Sequence, residues 1–191
     1  ARLDFRTKPT MSSDEAYGKP RKAQPMTDNR LILDDFAKAV GDWELVSDQV
    51  MGGVSDGKLS HEALQERMAL RLTGHVSTEN NGGFLQVARD EGDDGGIDAS
   101  GYSGVELDVL GNGETYNIHL RTKDVTRPWQ SYRMTFTAPG DWTTVTLPFA
   151  DFKAHRLTSP LDLKSLRRIG IVAIGKAFHA DIAISGLHLY R

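Results

Sequence analysis

The feature that most constrains this chain is a set of short segments in which apolar and polar residues alternate one for one. Val105, Leu107 and Val109 alternate with Glu106 and Asp108. Tyr116, Ile118 and Leu120 alternate with Asn117, His119 and Arg121, and Tyr132, Met134 and Phe136 with Ser131, Arg133 and Thr135. A period of two sends alternate side chains to opposite faces, so each segment predicts a half-buried strand. Similar segments predict strands near 31–36, 54–60, 67–77, 83–89, 143–148, 168–174 and 180–190. Residues 169–174 are apolar on both faces, as a central, fully covered strand requires. Asn112-Gly113 predicts a type I′ hairpin, which needs positive φ at both positions, and Pro139-Gly140-Asp141 predicts a turn. Helical spacing is scarce: Asp34–Val40 has room for one turn, and Ser159–Arg167 for a short helix with Asp162 near its start. Many short strands without intervening helices predict an all-β, antiparallel two-sheet sandwich of the jelly-roll kind.

The length of 191 residues suits one such domain, and no linker or internal repeat interrupts residues 30–191. Residues 1–29 are rich in Lys, Arg, Ser, Asp and Pro without apolar periodicity and are expected to form a disordered N-terminal extension, with Met26 a candidate native start. The longest apolar run, Ile171–Ile174, is far too short to span a bilayer, and no secretory leader is visible. A soluble protein is expected. The chain has no cysteine, which excludes disulfides, Cys-ligated zinc and thiol catalysis. A net charge of −3 with interspersed signs lacks the basic stripe that nucleic acid requires, so no nucleic-acid partner is expected.

Catalytic equipment is incomplete. Glu106-Leu107-Asp108 resembles the Glu-x-Asp strand of jelly-roll glucanases, but Val109, Leu110, Gly111 and Asn112 follow where a second acid is needed to protonate the leaving group. A glycoside hydrolase relic is therefore a remote alternative. The six histidines lack zinc spacing, and no nucleophile elbow or phosphate loop occurs. Asp34, Asp35 and Asp181 would approach a Ca²⁺ site only if the terminal strands brought them together. No catalytic residue, metal ligand or cofactor is assigned. Asn117, His119, Arg121 and Arg133, with Trp142, form a candidate polar face, which reads either as a ligand surface or as a plain sheet exterior. Trp129 and Trp142 serve as sugar platforms on one reading and as edge caps on the other.

The most distinctive segments carry diglycines. Asp48, Val50, Met51, Gly52, Gly53 and Ser55 form one, and Asn80, Asn81, Gly82, Gly83 and Phe84 the other. Asn tolerates and Gly permits left-handed backbone, so both read as tight, shaped loops.

These segments are similar to the signature of the CIA30 family, the complex I intermediate-associated protein 30 domain. The likeness runs from Trp43 and Ser47-Asp48-x-Val50-Met51-Gly52-Gly53-x-Ser55 through Gly74-His75-Val76-Ser77-x-Glu79-Asn80-Asn81-Gly82-Gly83-Phe84. It continues through Tyr102-x-Gly104-Val105-x-Leu107, Gly111-x-Gly113-x-x-Tyr116, Leu120-Arg121-Thr122, Ser131-Tyr132 and Trp142. Leu147-Pro148-Phe149, Asp151-Phe152 and Ile169-Gly170 complete it. The resemblance implies a galactose-binding-like jelly roll and a non-catalytic, chaperone-like role in assembling respiratory NADH:ubiquinone oxidoreductase (complex I). Its expected partners are protein subunits or assembly intermediates, with Met51 and Phe84 as apolar anchors. A carbohydrate-binding module with a glycan partner is the alternative. Lys176-Ala177-Phe178-His179-Ala180 departs from the family's Gly-Pro-Phe-x-Leu, and the first residues are short and mixed in charge. Both suit a compact bacterial member; a cytoplasmic location is expected for that case, and the mitochondrial matrix for a eukaryotic one.

Overall fold

The computed structural model describes residues 29–38, 41–92 and 96–191. The expected extension lies outside them except for Asn29, as does the end of the turn expected at Asp34–Val40. In chain order the strands are β1 (Arg30–Asp34), β2 (Glu44–Ser47), β3 (Asp56–Leu64), β4 (Arg67–Val76), β5 (Phe84–Asp90) and β6 (Gly104–Gly111). They continue with β7 (Thr115–Thr122), β8 (Ser131–Thr137), β9 (Thr143–Pro148), β10 (Lys153–His155), β11 (Leu166–Ile174) and β12 (Phe178–Tyr190). The first sheet runs β3-β4-β12-β6-β9, with β1 also on β12, and the second runs β10-β8-β7-β11-β5-β2. Every pairing is antiparallel.

The alternating segments bury the expected face. Val105, Leu107 and Val109 from the first sheet meet Tyr116, Ile118, Leu120, Tyr132 and Phe136 from the second in one core. Each such side chain removed from water contributes roughly 2 kcal/mol. On β12 the buried set changes parity from Ala180, Ile182 and Ile184 to Leu187 and Leu189, because a bulge between Ile184 and Gly186 inserts one residue. β11 is an inner strand of its sheet and is buried on both faces, with Ile169 and Ile171 in the core and Gly170 and Val172 on the opposite side.

Two local expectations differ from the structure. Asn112-Gly113 does not close a hairpin, since β6 pairs with β12 and β9 while β7 pairs with β11 and β8. Only Gly113 of that pair has positive φ, and the segment carries the chain from one sheet to the other. The helix expected within 159–167 shrinks to a 3-10 turn at Leu163–Ser165, where the Asp162 carboxylate accepts the Lys164 N–H. β11 starts immediately after it.

The sheets are tied at one end by Arg89. Its guanidinium donates to Asp34 at 2.7 Å, to Glu91 at 2.9 and 3.0 Å, and to the Leu33 carbonyl at 2.9 Å. The Trp43 indole donates to the same Asp34 carboxylate at 2.9 Å and lies beneath the Arg89 guanidinium.

Candidate functional site

The two diglycine segments, with Asp48 and Gly83 35 residues apart in sequence, meet around one carboxylate. Asp48 opens a 3-10 turn (Asp48–Met51) and is fully buried. It accepts from the Ser55 N–H at 2.9 Å and the Ser55 hydroxyl at 2.5 Å, within its own loop. From the other loop it accepts the Gly83 N–H at 2.6 Å and the Phe84 N–H at 3.3 Å. Ser55 Oγ in turn accepts the Ser77 N–H at 2.9 Å. Burial pushes the Asp48 carboxyl up, but the Ser55 hydroxyl and the Gly83, Ser55 and Phe84 amides together hold it below the ordinary carboxylate value.

The glycines divide into two duties. Gly52 and Gly83 supply positive φ, 87° and 134°. Gly53 and Gly82 supply space, since a Cβ on either would strike the Asp48 carboxylate, at 2.5 Å from Oδ2 in the case of Gly82. Asn80 and Asn81 complete the second loop in left-handed backbone, φ 55° and 58°, as expected of that residue type. Gly82→Ala is expected to cost about 1–3 kcal/mol by overpacking a site that cannot give. In a urea titration of both variants, Gly140→Ala, with nothing within 4 Å of the added methyl, is expected to be neutral.

Turning Asp48 inward turns its neighbours outward. Val50 is 74% exposed, Met51 64% and Val54 45%, an apolar tip beside the exposed Asn80 and Asn81. Phe84 is half-buried at the start of β5, so it contributes less to this surface than Met51. Val54 was not singled out from the sequence. Its signal is its place between two buried residues, Gly53 and Ser55.

The polar-face residues are mostly brought together on the outer side of the second sheet. Cross-strand pairing aligns Ala88, Gly170, His119, Arg133 and Lys153 in one row, and Gln86, Val172, Asn117 and Thr135 in the next. Arg121 lies two residues beyond His119 on the same face, paired with Arg168. Ala88, Gly170, Val172 and His119 are buried, forming a low floor between longer side chains. The Gln86 amide lies across Gly170, where a Cβ would come within 2.7 Å of its nitrogen. Burial, with Arg133 and His155 nearby, pushes the His119 imidazole down to about 3, so the ring is neutral. Burial likewise lowers Arg121, beside Arg167 and Arg168, and Arg133, beside Arg156.

Trp142 is a correction. It directly precedes β9, which pairs with β6 in the first sheet, so it stands apart from Asn117, His119, Arg121 and Arg133. Its indole N–H donates to the Leu64 carbonyl at 3.3 Å and the Arg67 guanidinium lies over its ring. Trp142 therefore closes the β3–β4 turn. Glu106 and Asp108 do share the outer face of the first sheet, but Glu106 is buried against Arg30 at 2.8 Å and Asp108 accepts from Thr144. The carboxylates considered for Ca²⁺ do not meet: Asp34 pairs opposite Leu187, roughly 20 Å along β12 from Asp181. Asp34 is held by Arg89 and Trp43, and Asp181 by Arg71. No helix among the described residues is long and apolar enough to cross a membrane.

Two antiparallel sheets in this order define a β-sandwich of the kind found in carbohydrate-binding modules. The structure is similar to the family 11 carbohydrate-binding module from Clostridium thermocellum in complex with a β-1,3-1,4-mixed-linked tetrasaccharide. The TM-score is 0.68 at 14% identity, covering 84% of this chain and 95% of that one. It is also similar to a family 30 carbohydrate-binding module (TM-score 0.54, 17% identity, 78% of this chain and 77% of that one). The agarase AgWH50C matches with a TM-score of 0.57 at 11% identity, over 85% of this chain and 24% of the enzyme. Identities this low speak for the fold alone. The chain itself belongs to the CIA30 family: the model of complex I intermediate-associated protein 30 matches residues 34–183. No curated protein matches it.

Proposed function

We propose that this domain is a non-catalytic assembly factor that binds subunits or intermediates of respiratory NADH:ubiquinone oxidoreductase through the tip built on Asp48. The carrying observation is that the family's two diglycine segments converge on one buried carboxylate and present Val50, Met51 and Val54 to solvent. A fixed loop lowers the ordering cost of binding, and an adaptable Met suits the irregular apolar surface of a partly assembled subunit. The test is complementation of a strain lacking the protein. Met51→Asp, at an exposed position, is expected to leave the melting temperature unchanged while assembled NADH:ubiquinone oxidoreductase falls several-fold. Full assembly with the variant would remove the tip from the function.

A second reading, glycan binding, is favoured by the outer face of the second sheet. Its small floor residues Ala88, Gly170 and Val172, with the Gln86 amide across Gly170, are flanked by the polar groups of Asn117, His119 and Arg133. Exposed Trp129 lies in the neighbouring β7–β8 loop, which Arg121 ties down through the Val125 and Arg127 carbonyls, both at 3.2 Å. Aromatic faces of this kind stack on sugar rings.

A further inference from the structure

The geometry points to an acidic saccharide as the ligand of the second sheet's outer face, its oxyanion held by His119, Arg133 and Arg121 and its hydroxyls by Gln86, Asn117 and Thr135. This inference rests on the glycan reading and adds the charge of the ligand. It concerns a surface separate from the apolar tip.

Three observations carry it. The first is an imbalance of charge. Among the described residues neither Arg121 nor Arg133 has a salt-bridge partner, and Lys153 and His155 lie on the same side. The acids that approach this face, Glu44 and Asp90, are both engaged by Arg168, which pairs with Arg121 and lies away from Arg133. The second is unsatisfied polarity. His119 is 8% exposed, and among the described residues neither its Nε2 nor the buried Arg121 Nε has a hydrogen-bond partner. A buried polar group left unpaired costs about 1–3 kcal/mol, so two at adjoining positions mark a place where a ligand supplies the acceptor. A neutral His119 with its proton on Nε2 donates to an oxyanion, as does the guanidinium of Arg133 directly across the strand pair.

The third observation selects a saccharide over a bare anion. The row beside His119 and Arg133 is neutral: the Gln86 and Asn117 amides and the Thr135 hydroxyl flank Val172. One anionic spot beside a run of amides and a hydroxyl, over a floor without bulky side chains, matches a pyranose that carries one acid group among several hydroxyls. A phosphate-rich polymer would need the cations spread along the face, and they are confined to one side of it.

The test is titration of the whole chain, read by tryptophan fluorescence and calorimetry, with tetrasaccharides of galacturonic acid, tetrasaccharides of galactose, and inorganic sulfate. The acidic tetrasaccharide is expected to bind at least tenfold more tightly than the other two. Arg133→Gln is expected to weaken it tenfold or more, the effect of one charge-assisted hydrogen bond. Lys153→Glu, at an exposed edge position that leaves the fold intact, is expected to weaken it several-fold while leaving the neutral sugar unchanged. Equal binding of both tetrasaccharides would overturn the acidic ligand and keep the glycan reading. Sulfate binding as tightly as the acidic sugar would overturn the saccharide. No binding of either sugar at about 10 mM would overturn both readings.

Discussion

Asp48→Ala is expected to destabilise the domain by at least about 3 kcal/mol, because it leaves several buried donors unpaired at about 1–3 kcal/mol each. The Ser55 and Gly83 amides and the Ser55 hydroxyl all end on this carboxylate, and water cannot reach them. The cavity left beneath Gly53 and Gly82 adds to the loss. Asp48→Asn keeps the volume but turns an NH2 group toward donors, so it recovers only part of the stability. Urea titration decides the matter: an alanine variant within about 1 kcal/mol of the parent would mean that the two loops hold themselves. The sign with pH follows from the lowered carboxyl. This contribution is complete above the unfolded value near ~4 and is lost as pH falls through the still lower folded one.

Acid acts earlier through His119. Its folded value of about 3 lies far below the ordinary histidine value of 6.5, chiefly from burial and then from Arg133 and His155. Protonation therefore favours the unfolded chain. Stability from the neutral ring is complete above about 6.5 and declines as pH falls from there toward 3, at up to about 1.4 kcal/mol per pH unit. By pH 4.5 the loss reaches about 2–3 kcal/mol, before Asp48 titrates. His119→Gln, which keeps a polar group without the titration, is expected to flatten stability between pH 6.5 and 4.5. Parallel curves for parent and variant would show that His119 is not the group responsible.

Much of this fold is legible in the sequence because burial on one face of a strand writes itself as alternation. Val105/Leu107/Val109 and Tyr116/Ile118/Leu120 each read as one strand with one core face, and the structure places both so. Pairing is a different matter, since alternation says which face is buried but not which strand is adjacent. Asn112-Gly113 has the residue types of a hairpin and yet bridges two sheets, because β12 and β11 offer longer apolar partners to β6 and β7. β2, four residues long, and β10, three, are too short to display a period. Trp142, grouped by residue type with Asn117, His119, Arg121 and Arg133, precedes a strand of the other sheet, because residue type does not say which sheet a strand joins.

The site was legible as two loops and not as one object. The residue types showed that 48–55 and 79–84 turn sharply. That Gly53 and Gly82 are glycines because one carboxylate sits between them is a relation across 35 residues. An Asp shortly before Val50-Met51 and a diglycine is the only trace it leaves in the sequence. The charge imbalance around His119 likewise depends on where Arg168 spends Glu44 and Asp90, which no spacing in the chain reveals.

The most direct test of the tip as the functional surface is site-specific photocrosslinking from position 51 in cells, compared with position 153 on the other face. The expected result is covalent adducts with NADH:ubiquinone oxidoreductase subunits from position 51 and none from position 153. Absence of those subunits at position 51, with the protein folded and present, would contradict it.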